Sequence, residues 1–434
     1  MNVLQPTQSN ISIDLDILRT IYPKQSNEEI FSRLHMIFQQ FKKTYGEPAV
    51  RVFSAPGRTE IGGNHTDHQH GCVLAATIDR DCIGAVSVNN SRTIRLLSEG
   101  YSPCEVSLDN LDPIETEKGT SNAIIQGITA RLTALGYRIS GFNAYVSSNV
   151  LNGSGLSSSA AFEVLLGNIM NGLFCNNEID PTTLAQIGQY AENVYFGKPC
   201  GLLDQLTSAL GGLIFIDFND LESPLVERID YNFANSGHTL CTIDSGANHA
   251  DLTYAYANIT QEMKAVSAFF GKEYLRQVEL TELLRSAQRV RKITGDRAVQ
   301  RAMHFFMENS RTILEAEQLR SGDFSGFLQT LKESGRSSYM YLQNVLLEGS
   351  SHEQALGFTL ALSDILLKGL GGFRIQGGGF AGTIQVFVPN DTLQEFKREL
   401  EIALYPGCLH ILAVRPLGGL ELTQLHPSST TTFI

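Results

Sequence analysis

The sequence predicts an α+β protein built as two domains. Three observations carry this expectation. The chain has 434 residues, 42% hydrophobic and 18% charged, which is enough for a large core and more than one core usually holds. Strand-like and helix-like segments follow one another without the regular alternation of a doubly wound sheet. No fixed-period repeat or low-complexity linker separates them, and a polar break at "NDLESP" (219–224) places the division at residues 1–222 and 223–434.

The elements read in order as follows. "SNEEIFSRLHMIFQQFKKTYG" (26–46) predicts a helix: Ser26 and Glu29 have capping-box spacing, and Ile30, Phe31, Leu34, Ile37, Phe38 and Phe41 share a face. Gly46 suits the position after its end. "VRVFSAPGR" (50–58) predicts a strand running into a Pro-Gly turn, and "CIGAVSVN" (82–89) and "TIRLLSEG" (93–100) predict further strands. "GFNAYVSSNV" (141–150) alternates like a strand and enters the loop "LNGSGLSSS" (151–159), after which helical spacing takes over. "GGLIFIDF" (211–218) and "LCTIDSG" (240–246) are apolar strands. Residues 258–350 lack proline and predict mostly helix, and "FRIQGGGFAGTIQVFVP" (373–389) predicts strand, glycine turn, strand.

Bulk chemistry narrows the function. A formal net charge of −12 argues against a nucleic-acid surface but leaves room for a local anion pocket. No apolar run is long enough to span a membrane, and the first ten residues lack the pattern of a secretory signal, so a soluble cytoplasmic protein is expected. Seven cysteines without a close pair predict neither a disulfide framework nor a zinc knuckle.

Three glycine-rich loops carry the chemical signal. In "LNGSGLSSSAAFEV", Gly153, Ser154, Gly155, Leu156, Ser157, Ser158 and Ser159 lead into a helix N-terminus, where unpaired N–H groups and the helix dipole favour an anion. A phosphate cradle and a serine-capped flexible loop both fit that pattern, and the Lys of a Walker loop is absent. "RIQGGGFAGT" (374–383) is a tight turn. "GRTEIGGNHTDHQHG" (57–71) gathers Arg58, Glu60, Asn64, His65, Asp67, His68 and His70. Its spacing does not match the usual metal signatures, and a polar pocket for a hydroxyl-rich molecule fits it better, with Arg58 as a fixed charge for a transferring phosphoryl group.

In this order, "SAPGRTEIGGNHTDH" (54–68), "GSGLSSSAAFE" (153–163), "AENVYFGKPCGLLDQ" (191–205) and "RIQGGGFAGT" (374–383) resemble the motifs of the GHMP kinase superfamily, and most closely the galactokinases. The resemblance implies a two-domain fold, with an N-terminal ribosomal-protein-S5-domain-2-like part and a C-terminal ferredoxin-like part. It implies transfer of the ATP γ-phosphoryl group to the C1 hydroxyl of α-D-galactose, with Mg²⁺. Asp204 matches the general base and Arg58 the charge-stabilising arginine. Asp67, Gly201 and Tyr256 match sugar-binding positions. The loop 153–159 matches the phosphate cradle, and Ser159 and Glu192 match the magnesium positions. Cys200 reads as a packing residue.

The match departs at one place. The family has Asn two positions after the arginine and Glu six positions after it; here these are Glu60 and Asn64. The reversal predicts that the two side chains are neighbours. It also keeps other sugars open, an N-acetylated hexosamine or a uronic acid, and a sugar and ATP sensor without turnover is the alternative of another class. The family's tryptophan near the base is absent, and "TSNAIIQG" (120–127) is expected in that region. The oligomeric state is left open, with a monomer as the default.

Overall fold

The computed structural model describes residues 3–4, 12–151, 153, 155–247, 252–347, 349 and 352–424. The larger sheet has eight strands. Along its main path the order is Leu420–Glu421, Arg51–Gly62, Cys72–Val88, Phe142–Ser148, Thr93–Ser98 and Cys104–Ser107; Leu213–Asp217 pairs with the far half of Cys72–Val88 and carries Leu225–Arg228 at its edge. Among the described strands of this sheet, the Thr93–Ser98 and Phe142–Ser148 pair alone is parallel.

Alternation along the strands builds two layers. Val52, Ile83, Ala85 and Tyr145 pack against Ile30, Leu34, Ile37 and Phe41 of helix Asn27–Tyr45. Phe53, Cys82, Val86, Ala144 and Val146 belong to the opposite core, with Val164, Leu165 and Ile169 of helix Ser158–Phe174. The Ser26–Glu29 capping box forms as expected, and Gly46 takes a left-handed conformation at φ 75°.

The second sheet is antiparallel, in the order Gly372–Ile375, Thr383–Pro389, His238–Asp244, Leu409–Ile411. Cys241, Ile243, Ile384, Val386 and Val388 pack against helices Ala355–Leu367 and Leu393–Ala403. On its other side Leu240 and Phe387 join Phe327 and Leu331 in the core of the larger sheet, so apolar packing is continuous between the two parts.

Two expectations meet a different geometry. "SAPGR" is not a turn: the strand runs unbroken from Arg51 to Gly62, with register irregularities between Pro56 and Arg58 and between Glu60 and Gly62. A bulge absorbs the proline's missing donor. Gly57 is needed there because a Cβ would lie 2.7 Å from the Leu156 carbonyl oxygen. The division expected at 222/223 falls between two hydrogen-bonded strands of the larger sheet, Leu213–Asp217 and Leu225–Arg228, and Leu420–Glu421 returns to the same sheet.

Candidate active site

Residues distant in sequence meet in one cleft. A cavity of about 260 Å³ is lined by Arg58, Glu60, Asn64, His65, Asp67, His68, Lys198, Gly201, Asp204, Tyr256, Gly377 and Gly378, among others. It lies just below the usual range of drug-sized ligand pockets, about 300–1,000 Å³. A larger hollow of about 1450 Å³ beside helix Ala355–Leu367 contains none of these residues, so size alone does not locate the chemistry.

The centre of the cleft is Asp204, in the first turn of helix Leu203–Leu210. Arg58 reaches it from the bulged strand, donating from Nε at 2.8 Å and Nη2 at 2.5 Å to Oδ1. The Ser157 hydroxyl donates to Oδ2 at 2.5 Å. Burial alone would raise the Asp204 carboxyl, but Arg58, Ser157 and the more distant Lys198 hold it below the usual carboxylate range. Asp204 is therefore ionised at neutral pH, and its side chain is still 31% exposed toward the cleft. A carboxylate in that state can accept a proton.

The glycine loop is locked to the same residues. Arg58 Nη1 donates to the Gly155 carbonyl at 2.6 Å, Gln376 Nε2 donates to it at 3.1 Å, and the Arg58 N–H bonds the Leu156 carbonyl at 3.0 Å. Gly153 and Gly155 have φ of 71° and 66°, as glycine allows. Ser157 takes φ 57° without being glycine, which costs about 1–3 kcal/mol and aims its hydroxyl at Asp204. Leu156 is buried, Ser158 half-buried and Ser159 exposed at the start of helix Ser158–Phe174. Ser154 lies outside the described residues.

The opposite wall comes from the histidine-rich segment. His65 also has a left-handed backbone, φ 58°, and its Nε2 bonds the Gly378 carbonyl at 3.0 Å. Burial and the neighbouring His68 push its pKa down to about 4, so it is neutral at pH 7. Asp67 Oδ1 accepts the His68 N–H at 2.9 Å. Gly201 faces Asp67: a Cβ there would lie 2.5 Å from Oδ2. Tyr256 donates to the Gly379 carbonyl at 3.2 Å, and a Cβ on Gly378 would lie 2.3 Å from its ring. His70 instead stacks on Tyr274 at 3.7 Å between centroids. Segment 120–127 forms the capped start of helix Ser121–Ala134, with Thr120 accepting the Ala123 N–H.

Glu60 and Asn64 are neighbours, with Asn64 Nδ2 donating to Glu60 Oε1 at 3.0 Å. Glu192 is buried in a π-helical turn, Ala191–Phe196. Its carboxylate takes the Lys198 ammonium at 3.0 Å and the Gln205 amide at 2.9 Å. Gln205 also donates to Glu163 at 2.9 Å, one helical turn from Ser159. Glu163 is pushed well up by burial and by Glu192. Among the described residues no group of three or more His, Cys, Asp and Glu could hold a metal ion. Cys200 stays a thiol, because burial and Glu192 push it up. All seven cysteines are free.

Sequence reasoning passes over Lys198, Gln205, Glu163, Gln376 and the buried Arg374. Lys198 and Gln205 stand inside the quoted motif "AENVYFGKPCGLLDQ", and no spacing rule singles them out.

This fold, with a glycine-serine loop at a helix start and an arginine-held aspartate across a small polar cleft, defines a kinase of the GHMP type. Residues 39–88 match the galactokinase galactose-binding signature, and residues 122–212 match the GHMP kinases N terminal domain. A galactokinase of Streptomyces coelicolor is 30% identical over 357 residues, 81% of this chain and 87% of that protein. The chain belongs to the galactokinase family. The Lactococcus lactis galactokinase, solved with galactose, superposes with a TM-score of 0.77 at 23% identity, covering 89% of this chain and 99% of that one. The Methanococcus jannaschii mevalonate kinase shares the fold at a TM-score of 0.61 and 15% identity, covering 85% and 99%. No helix among the described residues is long and apolar enough to cross a membrane.

Proposed function

We propose that the chain transfers the γ-phosphoryl group of ATP to the C1 hydroxyl of α-D-galactose. The observation that carries this reading is the Asp204 carboxylate, held ionised by Arg58 and Ser157 at the mouth of a monosaccharide-sized cavity. A sugar hydroxyl is a poor nucleophile, and a carboxylate within hydrogen-bond reach accepts its proton as transfer proceeds. Arg58 touches both Asp204 and the loop carbonyl of Gly155, so its guanidinium lies between base and phosphate loop, where charge moves in phosphoryl transfer.

Gly153, Gly155, Leu156, Ser157, Ser158 and Ser159 form the phosphate cradle in this reading, with Ser154 in the same loop. His65, Asp67, Gly201 and Tyr256 shape the sugar side. His65 enters as a neutral ring, with no charge to attract an anionic sugar. Ser159 and Glu192 would hold a magnesium ion by donor chemistry, since both offer hard oxygen. Glu192 already holds one cation, the Lys198 ammonium. The ion, when bound, neutralises phosphate charge.

The test is ADP release with ATP and galactose, glucose, N-acetylgalactosamine, galacturonate or mevalonate. Turnover greatest on galactose, with galactose 1-phosphate as product, supports the reading. Binding of sugar and ATP without turnover would make the chain a sensor.

A further inference from the structure

Asn64 is a hub of the structure. Its amide donates to Glu60 Oε1 at 3.0 Å and to the Gly377 carbonyl at 2.7 Å. Both partners are acceptors here, which fixes the NH₂ on that side. Its carbonyl oxygen accepts from Asn344 Nδ2 at 2.9 Å and Ser338 Oγ at 3.5 Å. Two N–H groups and two lone pairs are the whole capacity of an asparagine side chain, and all four are used. Its backbone is pinned as well, with His304 Nε2 at 3.0 Å from the oxygen and Glu308 Oε1 at 3.3 Å from the nitrogen. Asn64 is 1% exposed.

Glu60 is arranged differently. Its Oε1 takes Asn64 and, at 2.6 Å, the fully buried guanidinium of Arg374. Among the described residues its Oε2 has no hydrogen-bond partner, and it is not shut off from solvent. Since Glu60 lines the cavity, that oxygen opens onto it.

We infer that Glu60 Oε2 is the specificity-determining acceptor at this corner of the pocket, taking a hydroxyl of a neutral sugar and excluding a uronate, while Asn64 acts only as a positioning residue. The inference rests on the proposed sugar kinase reading and narrows its substrate class. A carboxylate anchored by Arg374 on one oxygen offers the other to an O–H donor in a fixed direction. A sugar carboxylate at the same place would face Glu60, with Asp67 on the wall nearby, and like charges at such range are costly in a partly dehydrated site. An exchange of residue types across the Glu60–Asn64 bond thus keeps one carboxylate in the pocket and moves it four positions along the chain.

The experiment compares kcat/KM with ATP for galactose, its 2-, 3-, 4- and 6-deoxy analogues and galacturonate, in the unmodified protein and in Glu60→Gln. In the unmodified protein, removing one particular hydroxyl should cost about 10- to 150-fold, the range for a hydrogen bond to a charged group. Glu60→Gln should lower turnover of galactose while erasing most of that one analogue's disadvantage. Galacturonate should be disfavoured by at least about 100-fold, and the variant should narrow that gap. Equal losses on every analogue in Glu60→Gln would overturn the inference and leave Glu60 a support for Arg374. Galacturonate turned over as well as galactose by the unmodified protein would overturn it without any variant. Absence of turnover on galactose would instead sink the kinase reading beneath it.

Discussion

Replacing Asp204 with asparagine isolates the proposed proton acceptor from its surroundings. The amide is nearly isosteric with the carboxylate. Its oxygen can still accept from Arg58 Nε and Nη2, which now lie 2.8 and 2.5 Å from Oδ1, and its NH₂ can donate to Ser157, whose hydroxyl rotates to accept. Geometry is kept, and charge and basicity are lost. General-base catalysis contributes about 10²–10⁴-fold, so a fall in kcat of about 10³, or about 4 kcal/mol in the barrier, is expected. Some stability should be lost, because the amide leaves the buried Arg58 guanidinium without its ion partner, while the retained hydrogen bonds keep the variant folded. Sugar affinity measured by calorimetry should stay within about threefold, because the amide preserves the local bonds. The assay is single-turnover phosphoryl transfer beside a thermal melt. A kcat within about threefold of the unmodified protein, in a variant still folded at the assay temperature, would remove Asp204 from the base role.

Four further outcomes follow from the same geometry. Glu192→Gln should raise the magnesium concentration needed for half-maximal rate by about tenfold, read from a metal titration; an unchanged requirement would leave Glu192 as the structural partner of Lys198 and Gln205. Gly378→Ala drives a methyl to 2.3 Å from the Tyr256 ring, and overpacking of about 1–3 kcal/mol predicts a KM for sugar raised roughly tenfold or more, with kcat less affected. Arg374→Met leaves Glu60 buried without its ion partner, so a loss of about 3–5 kcal/mol in chemical denaturation is expected. Stability should also fall with acid. The folded pKa of His65 is lowered to about 4 from 6.5, so the unfolded chain binds the proton first as pH drops below 6.5. The full stability is present above that pH, and about 3 kcal/mol is withdrawn by pH 4, with buried His304 acting in the same direction. A melting temperature flat from pH 7 to 4 would contradict this.

Local signals carried the legible part of the fold. Ser26 and Glu29 mark a helix start because a capping box is an interaction over three residues, and it forms as read. The alternation in 141–150 and the glycine turn in 374–383 also depend only on neighbours. The strand through Pro56-Gly57 was not legible, since its bulge answers to Leu156, a hundred residues later. In the site, Arg58, Asp204 and the serine loop were recognisable as motif members, but their hydrogen bonds exist only after folding. The buried network behind the pocket was hidden for another reason. On helix Asp296–Ser321, Arg301, His304, Glu308, Thr312 and Glu315 recur at helical spacing within the stretch read only as helix, and all are buried. Glu308 alone bonds Ser334 and Arg311 and meets the Asn64 N–H. A polar stripe at a spacing of three and four residues was the available signal.

The most direct measurement is a crystal structure of the protein with galactose and a non-hydrolysable ATP analogue. The account predicts the anomeric oxygen within about 3.2 Å of an Asp204 carboxylate oxygen, with the γ-phosphate between the serine loop and Arg58. A sugar ring bound elsewhere, or a C1 hydroxyl turned away from Asp204 in the filled cleft, would contradict it.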